Sequence, residues 1–176
     1  LELATQRPDL QFSIVGDGPL RQQVENQARQ CHNLAFLGWC SRTVVREQLD
    51  AHDLLMLPSA VEAFGTVALE AMARKRLVVT APGCGINQWR DLAAGLVSMD
   101  PDETLGATLQ RIEQWPATRR LHVIQRGHQA ALALNNATLE QWLAVLSLTA
   151  AKAHSLPRPM PSATFALLRR LAAFQS

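Results

Sequence analysis

The chain has few of the residues from which disulfide, metal or nucleic-acid chemistry is built. Its 176 residues include three cysteines, Cys31, Cys40 and Cys84. An odd number with no Cys-x-x-Cys spacing argues against a disulfide framework and points to a reducing cytoplasm. Five histidines, at 32, 52, 122, 128 and 154, form neither a His-Glu-x-x-His motif nor a Cys/His cluster. No metal site is therefore expected. A net charge of +2 is small, and basic residues do not run together with aromatics as a nucleic-acid surface requires. The sequence starts at Leu1, with no initiator methionine and no signal segment, and is expected to be a piece of a larger polypeptide.

What is present is apolar and regularly spaced. Hydrophobic residues make up 48% of the chain, enough for one substantial core in a length too short for two full domains. Short apolar runs near 12–15, 34–37, 54–57, 77–80 and 95–98 read as strands. They alternate with helical patterns near 20–31, 42–50, 66–75 and 87–93, the rhythm of a parallel sheet covered on both faces. A helix is expected over 102–114, a long one from Pro116 to about Leu134, and another from Thr138 to Leu148. Trp89, Trp115 and Trp142 fall at helix positions that suit a core.

The most informative stretch runs from Pro58 to Ala73. Leu54 to Leu57 reads as a buried strand that Pro58 closes, and Gly65 opens a helix whose Val67, Leu69, Met72 and Ala73 face a core. Free N–H groups at Thr66 and Val67, together with the positive end of the helix dipole, form a seat for a phosphate. Glu70 lies one turn in and leans back toward that seat, because side chains tilt toward a helix N-terminus. Glu62 approaches from the loop. Carboxylates repel phosphate and accept from hydroxyls, so the arrangement suits a ligand with phosphate in the middle and hydroxyls at both ends. A nucleotide-sugar has that form.

Strand, Pro-Ser, Glu-x-Phe-Gly and then Glu-Ala-Met-Ala on the next helix resembles the E-x7-E signature of retaining GT-B glycosyltransferases of family 4. The resemblance implies that Glu62 contacts the transferred sugar and acts in catalysis. It also implies that Phe64, Gly65, Thr66 and Val67 meet sugar and diphosphate, and that Glu70 holds the ribose diol. Upstream, Phe12 to Pro19 is similar to the family's strand and Gly-Asp-Gly-Pro turn, which adds Gly16 to the donor site. Leu34 to Cys40 occupies the place of the base-binding strand and loop, adding Trp39 and Cys40. Trp39 either stacks on a base or plugs the seam between helix and sheet.

The fold so implied is α/β, a Rossmann-like doubly wound parallel sheet forming the C-terminal half of a GT-B enzyme, with a helical C-terminal extension. Residues 1–149 would be the donor-binding domain and residues 150–176 a proline-containing linker and amphipathic helix. The expected reaction is retaining transfer of a sugar from a nucleoside diphosphate to an acceptor hydroxyl, with no cofactor and no metal. The partners implied are the nucleotide-sugar donor and an N-terminal acceptor domain, which is missing here together with an Arg and Lys diphosphate clamp. The isolated piece is expected to be inactive. Where relatives carry Gly, Pro and Glu, this sequence has Lys75, Leu77 and Asn87, which leaves a non-catalytic nucleotide- or partner-binding module as the alternative. Beyond Gln141 there is no acidic residue, while Lys152, Arg158, Arg169 and Arg170 are basic. The last helix is therefore expected to dock on the acceptor half or to make peripheral contact with the cytoplasmic membrane face.

Overall fold

A computed structural model describes the backbone of residues 1–155 and the side chains of residues 1–147. Of the linker and amphipathic helix expected over residues 150–176, residues 156–176 lie outside the described residues. The element order is α1 (Glu2–Gln6), β1 (Phe12–Val15), α2 (Arg21–Ala28), β2 (Leu34–Gly38), α3 (Arg42–Ala51), β3 (Leu54–Leu57), α4 (Thr66–Ala73) and β4 (Leu77–Thr80). A 3-10 turn (Gly85–Gln88), α5 (Arg90–Ala93), β5 (Val97–Ser98), α6 (Leu105–Glu113) and α7 (Ala117–Ser155) follow. The chain divides into two compact units, Leu1–Leu134 and Asn135–Ser176.

Every strand pair is parallel. β1 pairs with β2, and β3–β4–β5 form a second ladder. Parallel strands need crossovers and so bury both faces. β4 shows this most clearly, since its four residues Leu77 to Thr80 are all buried. Val78 joins Ala68, Ala71 and Met72 of α4 in one core cluster, whereas Leu77 and Val79 join Val97 and Ile112 in another. Alternation along one strand thus divides the core into two layers. The positions 68, 71 and 72 put two alanines and one methionine on the inner face of α4, letting that short helix lie close to the sheet.

Local chemistry sets the helix ends. Ser41 Oγ accepts from the Val44 amide at 3.4 Å, and Thr104 Oγ1 accepts from Ala107 at 3.2 Å, both as N-caps. The Thr104 cap starts α6 at Leu105 rather than near Asp102. Lys75, in place of the glycine expected there, ends α4 with φ 59°, the left-handed conformation that a helix C-terminus demands.

Four expectations are corrected. The helix read over 87–93 is broken at Trp89, whose backbone is extended, φ −92° and ψ 100°. Trp89 therefore lies at an exposed break and Trp142 on an exposed helix face; neither is in the core. The strand read over 95–98 is only Val97–Ser98, because the Gly95 and Leu96 amides are used by the turn that ends α5. The helices read as separate around residues 134–138 are one helix, α7. Asn135 and Asn136 are mediocre helix formers but, unlike proline, do not stop one. Burial does change there, since residues 135–147 are exposed throughout.

Within the first unit, the turn after α5 meets α7 backbone to backbone. A Cβ on Gly127 would lie 2.6 Å from the Gly95 carbonyl oxygen, while one on Gly106 would meet nothing nearer than 3.6 Å. Gly127→Ala should destabilise the protein by about 1–3 kcal/mol as an overpacking change, and Gly106→Ala should raise stability by up to about 1 kcal/mol. Denaturant unfolding of the two variants measures both. The Arg111 guanidinium, bonded to Glu103 Oε1 and Oε2 at 2.9 and 2.7 Å, holds the Glu103 carboxyl down to about 2 from its ordinary 4.5. Its stabilising contribution is complete above pH 4.5 and disappears as pH falls toward 2. The stability difference between wild type and Glu103→Gln should shrink over that interval, as urea midpoints at stepped pH would register.

Candidate functional site

The loops singled out in the sequence all lie at carboxyl ends of strands, where parallel sheets place their ligands. The candidate residues fall into two groups. Gly16, Trp39 and Cys40 belong to the β1–β2 ladder, and Glu62 to Glu70 belong to the β3–β4 ladder.

In the first group, Gly16 has φ 143° and its amide donates to the Gly38 carbonyl at 2.8 Å. The parallel pairing thus persists one residue past β1 and brings the two turns side by side. Arg21 rises from α2 over Gly38, paired with Asp17 at 2.6 Å and lying 5.9 Å from the centre of the Phe36 ring. Trp39 is 75% exposed, so it plugs no seam between helix and sheet. The Cys40 thiol turns back toward the Leu37 and Gly38 carbonyls, 3.8 and 3.7 Å away.

The second group is built around Gly65, the residue before α4. Its φ of 84° and ψ of 58° place it in the left-handed region, the natural territory of glycine. A Cβ there would stand 2.9 Å from Leu57 Cδ2 and 3.1 Å from Cys84 Sγ. With no side chain at the N-cap, α4 has no side-chain cap. The Ala68 amide already bonds to the Gly65 carbonyl, and among the described residues the Thr66 and Val67 amides have no protein acceptor. These are the donors that a helix start leaves over. Glu62 Cγ lies 3.5 Å from the position of that absent Cβ, so the Glu62 side chain leans over the helix start. Glu70 is exposed one turn along α4. Neither carboxylate has a side-chain hydrogen bond or salt bridge among the described residues, leaving both open to hydroxyl donors.

Sequence reasoning missed what holds Glu62 in place. The loop after β4 pairs with the loop after β3: a parallel bridge links Glu62 and Cys84, and the Gly85 and Ile86 amides donate to the Glu62 and Phe64 carbonyls at 2.9 and 3.1 Å. The signal lay in Gly83-Cys84-Gly85, since a Cβ on Gly85 would fall 1.9 Å from the Ala63 carbonyl oxygen. Asn87, after that loop, turns inward to Thr80 and the loop carbonyls. Trp89 stands edge-on to Phe64, ring centres 5.6 Å apart, flanking the loop that carries Glu62. An open cavity of about 460 Å³ lies elsewhere, lined by Arg7, Glu113 and neighbours on α1 and α6. It holds none of the candidate residues.

The wider comparison agrees with this reading of the fold. Alpha-D-kanosaminyltransferase of Streptomyces kanamyceticus is 33% identical over 90 residues, 49% of this chain and 23% of that protein. An uncharacterized glycosyltransferase of Methanocaldococcus jannaschii is 32% identical over 84 residues, 46% of this chain and 22% of that protein. The chain thus spans less than a quarter of the length of these relatives. Among solved structures, HepE of Anabaena in complex with UDP-glucose superposes with a TM-score of 0.61 at 21% identity, covering 81% of this chain and 43% of that one. That likeness is one of fold, the GT-B glycosyltransferase fold with its parallel sheets and helices. The sequence model of the family described as Glycosyl transferases group 1 matches residues 1–114, and the chain belongs to that family.

Proposed function

We propose that this chain is the donor-binding half of a retaining glycosyltransferase of family 4, whose donor is a nucleoside-diphosphate sugar. The observation that carries the reading is Glu62 leaning over the uncapped start of α4, where Thr66 and Val67 present free amides. The amides and the helix dipole receive the diphosphate. Glu70, further along the same helix, accepts from the ribose hydroxyls. Glu62 accepts from hydroxyls of the transferred sugar, with Phe64 and Gly65 shaping the floor beneath it. Gly16, Trp39 and Cys40 are assigned to the base, with the exposed Trp39 ring as a stacking surface.

In the reaction the bond between the anomeric carbon and the diphosphate oxygen breaks, and the acceptor oxygen bonds to that carbon on the same face. The acceptor proton passes to the departing diphosphate. Charge builds on the leaving group, so donors aimed at it stabilise the transition state most. A double-displacement scheme uses paired carboxylates about 5–5.5 Å apart, one of them a nucleophile. Here both glutamates serve better as hydroxyl acceptors. An acceptor-binding half and a cationic diphosphate clamp complete the enzyme in the longer polypeptide, and the isolated piece lacks turnover. No metal or cofactor enters this scheme. No helix among the described residues is long and apolar enough to cross a membrane. We assign the enzyme to the cytoplasm.

Titrating the chain with UDP, GDP and ADP should perturb the amide NMR signals of Gly65, Thr66, Val67 and Glu70 before those of any histidine. Perturbation restricted to α7 would remove the site assignment. In the full-length protein, screened with UDP-, GDP- and ADP-hexoses, Glu70→Ala should weaken donor and free nucleoside diphosphate about equally. Glu62→Ala should lower turnover by about 10²–10³-fold, the scale for losing one transition-state contact, with nucleotide affinity nearly intact. Unchanged turnover would exclude Glu62 from the mechanism.

A further inference from the structure

We propose that Asn87 is a positioning residue for Glu62, acting through a closed ring of hydrogen bonds with Thr80 and the loop after β4. The inference rests on the donor-half reading and adds a residue that never touches the donor. Its side chain is occupied on both sides. Thr80 Oγ1 donates to Asn87 Oδ1 at 2.7 Å, and Asn87 Nδ2 donates to the Ala81 and Pro82 carbonyls at 2.8 and 3.3 Å. Thr80 is fully buried, so its hydroxyl needs this acceptor, and a buried group left without one is costly. The ring closes the turn from which Gly85 and Ile86 reach the Glu62 and Phe64 carbonyls. Asn87 thereby sets the height of the carboxylate-bearing loop over α4. The helix itself is held independently by Ala68, Ala71 and Met72, all fully buried.

Only a carboxamide satisfies both sides of the ring. A carboxylate at position 87 would still accept from Thr80 but would face the Ala81 and Pro82 carbonyl oxygens with no proton to donate. This explains why Asn87 departs from the glutamate of the resembled family without loss of the loop: the residue is used inward.

The test compares Asn87→Asp, Thr80→Val and Thr80→Ser in the full-length protein, using UDP-glucose with GDP- and ADP-hexoses in parallel, and UDP for binding. Asn87→Asp and Thr80→Val should lower kcat about tenfold or more, about 1.4 kcal/mol, because each leaves a buried polar group without its partner. UDP affinity should change less than about twofold, under 0.5 kcal/mol on the same conversion. Thr80→Ser, which keeps the hydroxyl, should recover most of the turnover. Combined with Glu62→Ala, neither variant should reduce turnover further, because residues acting as one unit are not additive. Hydrogen exchange gives a readout free of activity: the Gly85 and Ile86 amides should exchange faster in Asn87→Asp while the Met72 amide does not. Unchanged exchange at Gly85 and Ile86, or normal turnover of Asn87→Asp in an active enzyme, would overturn the positioning role alone. A wild-type protein that neither transfers sugar nor binds nucleotide would refute the donor-half reading, and the positioning role with it.

Discussion

The close approach of two loops beyond the ends of β3 and β4 is the constraint on which the rest of the site depends. Regular pairing between these strands stops at Leu57 and Thr80, yet after a one-residue slip in register the chains pair again at Glu62 and Cys84, where Gly85 donates to Glu62 and Ile86 to Phe64. Such contact leaves no room for side chains between the backbones. Gly83 and Gly85 supply the room, since a Cβ at either would press on the Ala60 or Ala63 carbonyl oxygen. A carboxylate on a free loop would sample many positions. On a loop paired to its neighbour, the backbone that carries Glu62 is held in one place.

The start of α4 depends on the same packing. Gly65 takes a left-handed backbone conformation, and Cys84, Leu57 and Glu62 crowd the space where its side chain would be. A serine or aspartate at that position would cap the helix and consume the amides of its first turn. The glycine leaves them free, which costs helix stability locally and is recovered by burying Ala68, Ala71 and Met72. The short helix is stable because of its core face, and its polar end is left available for a ligand.

Core packing reaches the site through β4. Its two faces serve separate core clusters, one with α4 and the other with β5 and α6, so the strand is clamped from both sides and its last residue, Thr80, becomes a fixed point. The contact between Gly95 and Gly127 adds a backbone crossing at the edge of the first cluster, in which Met72 and Ala131 also take part. From Asn135 to Ser147 the helix is exposed.

Much of this was legible in the chain because it is local. Short apolar runs gave β1, β3 and β4 their observed limits, most plainly at β4, which is buried along its whole length as a strand covered on both faces must be. Gly65 before an Ala- and Leu-rich helix, with glutamates at 62 and 70, marked the start of α4 for the same reason. What depended on atoms distant in sequence was not legible. Trp89 and Trp142 read as core because spacing reveals a helical face but not what packs on it. The continuity of α7 across Asn135-Asn136 was hidden because weak propensity looks like a boundary when no neighbour is known. Asn87 read as keeping hydrogen bonding while losing a charge, and only its position beside Thr80 revealed which groups it bonds. The sequence by itself determined β1, β3 and β4 and the glycine turn that starts α4. The tertiary structure decided which loop holds Glu62, because backbone-to-backbone contact between segments some twenty residues apart leaves in the sequence only the absence of two side chains, at Gly83 and Gly85.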